Sequence, residues 1–418
     1  MNERAPSHGA ALAILSTAFF MWGLATVFND ILVPHLKGIF GLGYRQAALV
    51  QLSFFSAYLF ASGPSAKVVA RVGYQRSMVA GLLVMATGAL LFIPAASVLS
   101  YPAFLGGLLV LASGITLVQV AANPYVAAMG EPAGASSRLN LAQALNSLGT
   151  TVGPSLGGWL ILRGAAHTQS ELRAMTAEQL QAWRLATAAS VKWPYFGIAL
   201  LLCGVALAIA RFRFPVLRIE KKDEAASSGG SVWRHRQLAF GAGAIFLYVG
   251  AEVSIGSFLV SYFMLPDIAG LTAAVAARYV TFYWGGAMVG RFAGSVLLRR
   301  FRAGPAAGTM AIAAAVLVLT SVNSTGWMAA YAILAVGLCN SILFPSIFSL
   351  GIAGLGKRTS EASGVLIASI VGGAVIPFCE GALADRFGLQ HAFLLPAACY
   401  LYLVFYGFAG WKPRAAGN

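Results

Sequence analysis

Residues 220–230 read Glu220-Lys221-Lys222-Asp223-Glu224-Ala225-Ala226-Ser227-Ser228-Gly229-Gly230. Five charges in a row, then Ser and Gly, describe a solvated flexible tether and not a buried element. Almost nothing else in the chain is like it. Of 418 residues, 59% are hydrophobic and only 10% are charged, against roughly 45–50% and about 25% in a soluble domain. That composition excludes an ordinary soluble enzyme and a disordered chain. The 47 glycines lack a three-residue period, which excludes a collagen-like one. A polytopic membrane protein remains, and the tether divides it.

A membrane helix needs about 20 mostly apolar residues. Windows of that kind fall near 10–33, 46–69, 77–97, 102–127, 140–163, 191–211, 238–264, 274–298, 305–323, 327–351, 360–383 and 389–411. The second and eighth are the least apolar. Six lie on each side of the tether. The expectation is an all-α membrane protein with an N-terminal six-helix half (1–211), a cytoplasmic linker (212–237) and a C-terminal six-helix half (238–418). In the long segment 164–190, Thr176 with Gln179 three residues on predicts a capped surface helix.

The formal net charge is +15. Strong basicity can indicate nucleic acid, or it can reflect Lys and Arg concentrated on cytoplasmic loops. With the N-terminus inside, 20 of the 28 basic residues fall on the cytoplasmic side. The outer side keeps Lys37, Arg45, Arg163, Arg173, Arg184, Lys192, Arg278 and Arg386. The charge is dispersed over short loops, so both termini are expected in the cytoplasm and no nucleic-acid partner is expected. Cys203, Cys339, Cys379 and Cys399 lie singly in apolar runs and read as free thiols, with no metal site or disulfide framework. The first apolar run has no signal-peptide cleavage site.

The two halves echo each other. Pro124 precedes Gly130 by six residues, and Pro345 precedes Gly351 by six, an offset of 221; Asp30 and Glu252 are offset by 222, Pro154 and Pro377 by 223. Such agreement indicates a duplicated six-helix unit, an arrangement that places the site between the halves near the membrane midplane. Gly149, Gly153 and Gly157 on the fifth span, and Gly286, Gly290 and Gly294 on the eighth, are small-xxx-small runs that let helix backbones approach. They are expected to form a sliding contact between the halves.

An ionisable residue at mid-membrane costs about 2.5–3.5 kcal/mol on insertion scales, so each needs a compensating reason. Asp30, Glu252 and Glu380 qualify. Glu380 falls near the outer end of its window and reads as solvated. Asp30 and Glu252 are the expected coupling groups, because burial disfavours the charged form of a carboxyl and can link its protonation to which side is open. Amides cluster too. Gln119 and Asn123 share one face of the fourth span, Asn140, Gln143 and Asn146 form a stripe on the fifth, and Asn340 lies in the tenth. Amides donate and accept, which suits a polyhydroxylated ligand. Trp22, Phe28, Tyr283 and Trp284 are candidates for stacking on it.

Two motif matches fail. Gly351-Ile-Ala-Gly-Leu-Gly356-Lys357 ends in Arg358 where a phosphate loop needs Ser or Thr, and it follows a helix, not a strand. Gly153-Pro-Ser155-Leu-Gly157 matches a hydrolase elbow but lies inside a glycine run without His or Asp partners. No cofactor and no enzymatic activity are expected.

The chain resembles the fucose/glucose/galactose permease branch of the major facilitator superfamily over nearly its whole length. The matching runs are Asn29-Asp30-Ile31-Leu32, Ala121-Ala122-Asn123-Pro124-Tyr125, Arg138-Leu139-Asn140-Leu141-Ala142-Gln143, Asn146-Ser147, Tyr248-Val249-Gly250-Ala251, Gly290-Arg291-Phe292 and Phe348-Ser349-Leu350-Gly351-Ile352. The resemblance implies monosaccharide uptake with cation symport, usually protons, by alternating access. It implies a proton site at Asp30 and an inner-gate basic residue at Arg291. The usual acidic partner after the second span is missing, since Lys67 and Arg71 occupy that region. Fucose-transporting members carry a glutamate where this chain has Gln119, whereas Glu252 looks like the glucose/galactose members. The expected substrate is therefore glucose or galactose, with fucose a further candidate. The expected sugar contacts are Asn29, Gln119, Asn123, Asn140, Gln143, Asn146, Asn340, Tyr283 and Trp284. Gating falls to Arg291, Gly149, Gly153 and Gly290. Sodium coupling, an N-acetylhexosamine cargo and a non-transporting sugar sensor stay open. The expected setting is a bacterial-type inner membrane, with the protein a multi-pass monomer in the bilayer.

Overall fold

The computed structural model describes residues 8–42, 44–161, 175–215 and 231–413. The tether at 220–230 lies outside them. The described residues are helical throughout, with no strand among them. The spans before the tether are α1 (His8–Phe40), α2 (Tyr44–Val72), α3 (Tyr74–Ser97), α4 (Tyr101–Ala128), α5 (Ala135–Ile161) and α6 (Lys192–Arg211). Those after it are α7 (Arg236–Met264), α8 (Ala273–Leu297), α9 (Ala303–Val322), α10 (α10a Gly326–Asn340, α10b Leu343–Gly351), α11 (α11a Thr359–Ala368, α11b Gly372–Phe387) and α12 (α12a Leu389–Ala392, α12b Leu394–Phe405). The twelve windows of the sequence are the twelve spans. The surface helix Ala177–Ala189 forms as well, with the Thr176 hydroxyl accepting from the Gln179 N–H and the Gln179 amide accepting from the Thr176 N–H.

The interruptions have local causes. A proline lacks an N–H and its ring collides with the carbonyl four residues earlier. Pro345 acts on Ser341, where α10 breaks, and Pro396 acts on Ala392, where α12a ends. Pro124, the counterpart of Pro345, stays within a continuous α4. The turn at Ser369–Val371 precedes Gly372 and Gly373, and Gly/Ser pairs are common kink sites.

Packing reveals the repeat. α1 packs on α5, α2 on α4, and α3 on α4 and α6. Adding six to each number gives the pairs after the tether: α7 on α11, α8 on α10, and α9 on α10 and α12. Across the two groups, α2 meets α11 and α5 meets α8, with α10b against α5 and α11a against α4. Nine helical stretches among the described residues are long and apolar enough to cross a membrane by composition; α2, α5 and α8 fall short. These three helices all lie at the seam between the groups. A span shielded by protein can carry the amides, hydroxyls and arginine that lipid would reject.

The glycine runs serve a different seam from the one expected. A Cβ on Gly149 would collide with the Phe20 carbonyl of α1, and one on Gly153 would press on Val27. Gly286 and Gly290 face Leu338 and Ser341 of the tenth span. Gly149 and Gly153 therefore close α1 on α5, and Gly286 and Gly290 close α8 on α10, inside each half, because helices in lipid gain cohesion from close backbone approach and not from a hydrophobic drive; the surroundings of Gly157 lie outside the described residues. Gly294 alone in its run reaches across, to Asn140. The repeat uses the same device: Gly372, 223 residues after Gly149, meets the Phe246 carbonyl of α7. Gly149→Ala is expected to cost about 1–3 kcal/mol by overpacking and to lower the thermal midpoint in detergent. Gly106→Ala, where a Cβ meets nothing within 4 Å, should leave that midpoint unchanged.

Hydrogen bonds tie the halves together at the end of the bundle that carries the start of α1 and the end of α12. Ser136 meets Ser349 at 2.6 Å, Ser137 donates to the Ser295 carbonyl, and Ser363 donates to the Val120 carbonyl at 3.0 Å. These residues begin odd spans or end even ones, so they share one side.

Candidate functional site

α7 and α8 supply the charged centre. Tyr248 and Glu252 are one helical turn apart on α7, and Tyr283 and Arg291 stand eight residues apart on α8, about two turns, so each pair shares a face. Arg291 Nη2 lies 3.4 Å from Glu252 Oε1, and both side chains are 12% exposed. Arg291 Nη1 donates to the Ser147 hydroxyl of α5. The Asn140 amide, also on α5, donates to the Arg291 carbonyl at 2.7 Å. One residue of the C-terminal half thus holds its own half's acid and two groups of the other half.

Tyrosines and an amide support the acid. Tyr283 donates to the Glu252 carbonyl at 3.1 Å, and Asn340 donates to the Tyr283 hydroxyl at 2.9 Å. Tyr400 donates to Asn340 Oδ1 at 2.7 Å. Tyr248 donates to the Asn340 carbonyl at 3.2 Å and also contacts the Glu252 carboxylate. The network spans α7, α8, α10 and α12 and fixes where the carboxylate stands. Removing one partner of such a buried pair typically costs about 3–5 kcal/mol, because the other charge is left uncompensated.

The N-terminal half contributes amides with spare capacity. Gln119 donates to the Tyr58 hydroxyl at 3.1 Å, while its Oε1 has no partner. Both amide atoms of Asn123, the Gln143 Nε2 and the Asn140 Oδ1 are buried and unpaired in the same way. Leaving such a group unsatisfied costs about 1–3 kcal/mol, which makes these atoms candidates for an external partner. Asn146 is different: it donates to the Phe19 carbonyl at 3.0 Å and pins α5 to α1. Asn340 is wholly engaged by tyrosines. Trp284 is over a third exposed and lies edge-on to Tyr283, with centroids 5.1 Å apart. Trp22 is buried beside Phe19, and Phe28 beside Tyr195. The side chains of Asn29 and Asp30 lie outside the described residues.

Glu380 corrects a sequence expectation. It is fully buried, not solvated, and Ser254 of α7 donates to its carboxylate. The helix runs on through Asp385 and Arg386 to Phe387, two turns past the acid. Tyr58 and Tyr400 were missed in the sequence, and Tyr248 entered only as part of a matching run. A usable signal existed: they stand inside spans, whereas membrane tyrosines favour the interfaces.

Two six-helix repeats packed about buried amides, with an arginine of the second that holds its own half's acid and a hydroxyl of the first, define a membrane carrier. The chain belongs to the Major Facilitator Superfamily, whose family model matches residues 11–369. It is 47% identical to a glucose/galactose transporter of Brucella abortus over 406 residues, 97% of this chain and 95% of that protein. The Escherichia coli fucose:proton symporter superposes with a TM-score of 0.87 at 32% identity, over 96% of this chain and 98% of that one. A structure of a Major Facilitator Superfamily transporter in the outward conformation gives a TM-score of 0.86 at 33% identity, over 96% and 99% of the two chains.

Proposed function

We propose that this protein imports a hexose, glucose or galactose, with proton symport by alternating access. The similarity to a glucose/galactose transporter and to a proton symporter supports the class of cargo and the coupling ion. The observation that carries the mechanism is the bridge from Glu252 through Arg291 to Ser147. Both termini lie in the cytoplasm, so the end joined by Ser136 and Ser349 is the inner one. The state described faces outward, like the outward structure it resembles. The protein works as a monomer in the bilayer of a bacterial-type inner membrane, with halves 1–211 and 238–418 rocking about the linker 212–237.

Sugar hydroxyls enter from outside and take the free amide atoms of Gln119, Asn123 and Gln143. Trp284 offers a ring at the rim of the site, and Asn29 lies on the same stretch of α1 as Asp30. Protons load Asp30 and Glu252, which occupy matching places in the repeat. A neutral Glu252 no longer holds Arg291, and the buried cation withdraws from Ser147 and strains the Asn140 contact. The α5–α8 seam then opens inward. Asn146 and Asn340 hold helices in register, and Asn140 belongs to the gate more than to the sugar. Gly149, Gly153 and Gly290 keep each half rigid as it rocks.

Proteoliposomes test this. An acid-outside gradient should drive uptake of labelled glucose or galactose at constant sodium; no uptake, or uptake that follows sodium at fixed pH, would refute proton coupling. A competition panel of hexoses, deoxyhexoses and N-acetylhexosamines fixes the cargo. In a background without the four native cysteines, oxidising Ser136→Cys/Ser349→Cys should stop transport, and reduction should restore it. Undiminished flux in the oxidised form would mean that this end does not open.

A further inference from the structure

Glu380 has no place in the mechanism above. It sits on α11b with no exposed surface, and the structure gives it one hydrogen bond, from Ser254 to Oε2. Its Oε1 is buried without a partner. Among the described residues no Lys, Arg or His is found paired with it; Arg291 pairs with Glu252. From α12b, the titratable group near it is the Cys399 thiol. From α7 it meets Ser254. Glu252 lies two residues away, about 200° around that helix, and looks toward α8. From α2, Phe55 meets Gly373, seven residues and about two turns before Glu380.

A carboxylate held this way would be an uncompensated charge in a dry interior, the costliest arrangement available to it. Protonated, it loses that charge and keeps the Ser254 contact. Its stripe on α11 begins at the seam with α2, one of the two seams between the halves, so rocking of the halves alters the surroundings of this face. We propose that Glu380 is a further proton-carrying group of the transporter, loaded in the state described and discharged as the α2–α11 seam rearranges. The proposal rests on the proton-symport reading for its role in transport, but not for the presence of the proton.

Glu380→Gln supplies the test, since a neutral amide retains the size and the contact with Ser254. Proton and sugar fluxes are measured together in proteoliposomes with an internal pH dye. The variant should move one proton fewer per sugar, and its steady accumulation at an imposed 100 mV should fall about 50-fold. An unchanged proton-to-sugar ratio would make Glu380 a permanently neutral packing group and overturn the proposal. If the variant does not reach the membrane, Ser254→Ala decides: removing the donor should displace the pH profile of uptake, and an unmoved profile counts against the proposal. Infrared difference spectra of purified protein after a pH jump separate the two readings. A carboxylic-acid band absent from Glu380→Gln supports the titration even if wild-type sugar uptake carries no proton, in which case symport fails and the site stands. Its absence from wild type overturns the site.

Discussion

Glu252→Gln is expected to abolish gradient-driven sugar accumulation while leaving counterflow in place. One proton at 100 mV supplies about 2.3 kcal/mol, enough for about 50-fold accumulation. The variant should accumulate nothing above equilibrium, because its neutral amide mimics the proton-loaded carboxyl at every pH. Arg291 then lacks the charge that sits 3.4 Å away in the wild type. A loss of about 3 kcal/mol from the closed inner gate shifts its equilibrium by about two orders of magnitude toward open. Uptake of labelled hexose under a fixed acid-outside gradient, beside equilibrium exchange in the same vesicles, checks both halves of the expectation. Full accumulation in the variant would remove Glu252 from the coupling.

Asn123→Leu is expected to do two opposite things. Asn123 is fully buried, and neither of its amide atoms has a partner. Replacing an unsatisfied buried amide by an apolar group of similar size is neutral or stabilising for the fold. A site built to hydrogen-bond a hydroxyl, however, loses each such bond at about 0.5–1.5 kcal/mol. Sugar binding should weaken by about 10- to 100-fold while the thermal midpoint in detergent holds or rises. Calorimetric titration and thermal unfolding of the same preparation separate the effects. Weakened binding with an equally weakened fold would mean that the amide serves structure and not sugar.

The fold was legible because lipid enforces a simple rule: apolar windows of helix length, interrupted by charge. The breaks in α10 and α12 follow from Pro345 and Pro396, which the windows alone do not register. Site residues were legible as types but not as partners. Glu252 and Arg291 are 39 positions apart, and only the packing of α7 on α8 brings them together. The glycine runs announced close approach without saying to what, and the approach proved to lie within each half. Glu380 was misplaced because its helix was ended too early, before Asp385 and Arg386, which α11 carries exposed in its last turn. The amide stripes told which residues share a face. Only the contacts told that Asn146 and Asn340 are already satisfied, whereas Gln119, Asn123 and Gln143 are not.

The central claim is that protonation of Glu252 releases the inner gate through Arg291. Ala133, after α4, and Ala353, after α10, are exposed and lie on opposite halves at that end. Spin labels at Ala133→Cys and Ala353→Cys, in a background without native cysteines, report their separation in liposomes as pH and sugar vary. The account predicts a short distance at alkaline pH, a longer one at acid pH with sugar, and the longer one at every pH in Glu252→Gln. A distance distribution that is the same in wild type and Glu252→Gln at all pH values would contradict it.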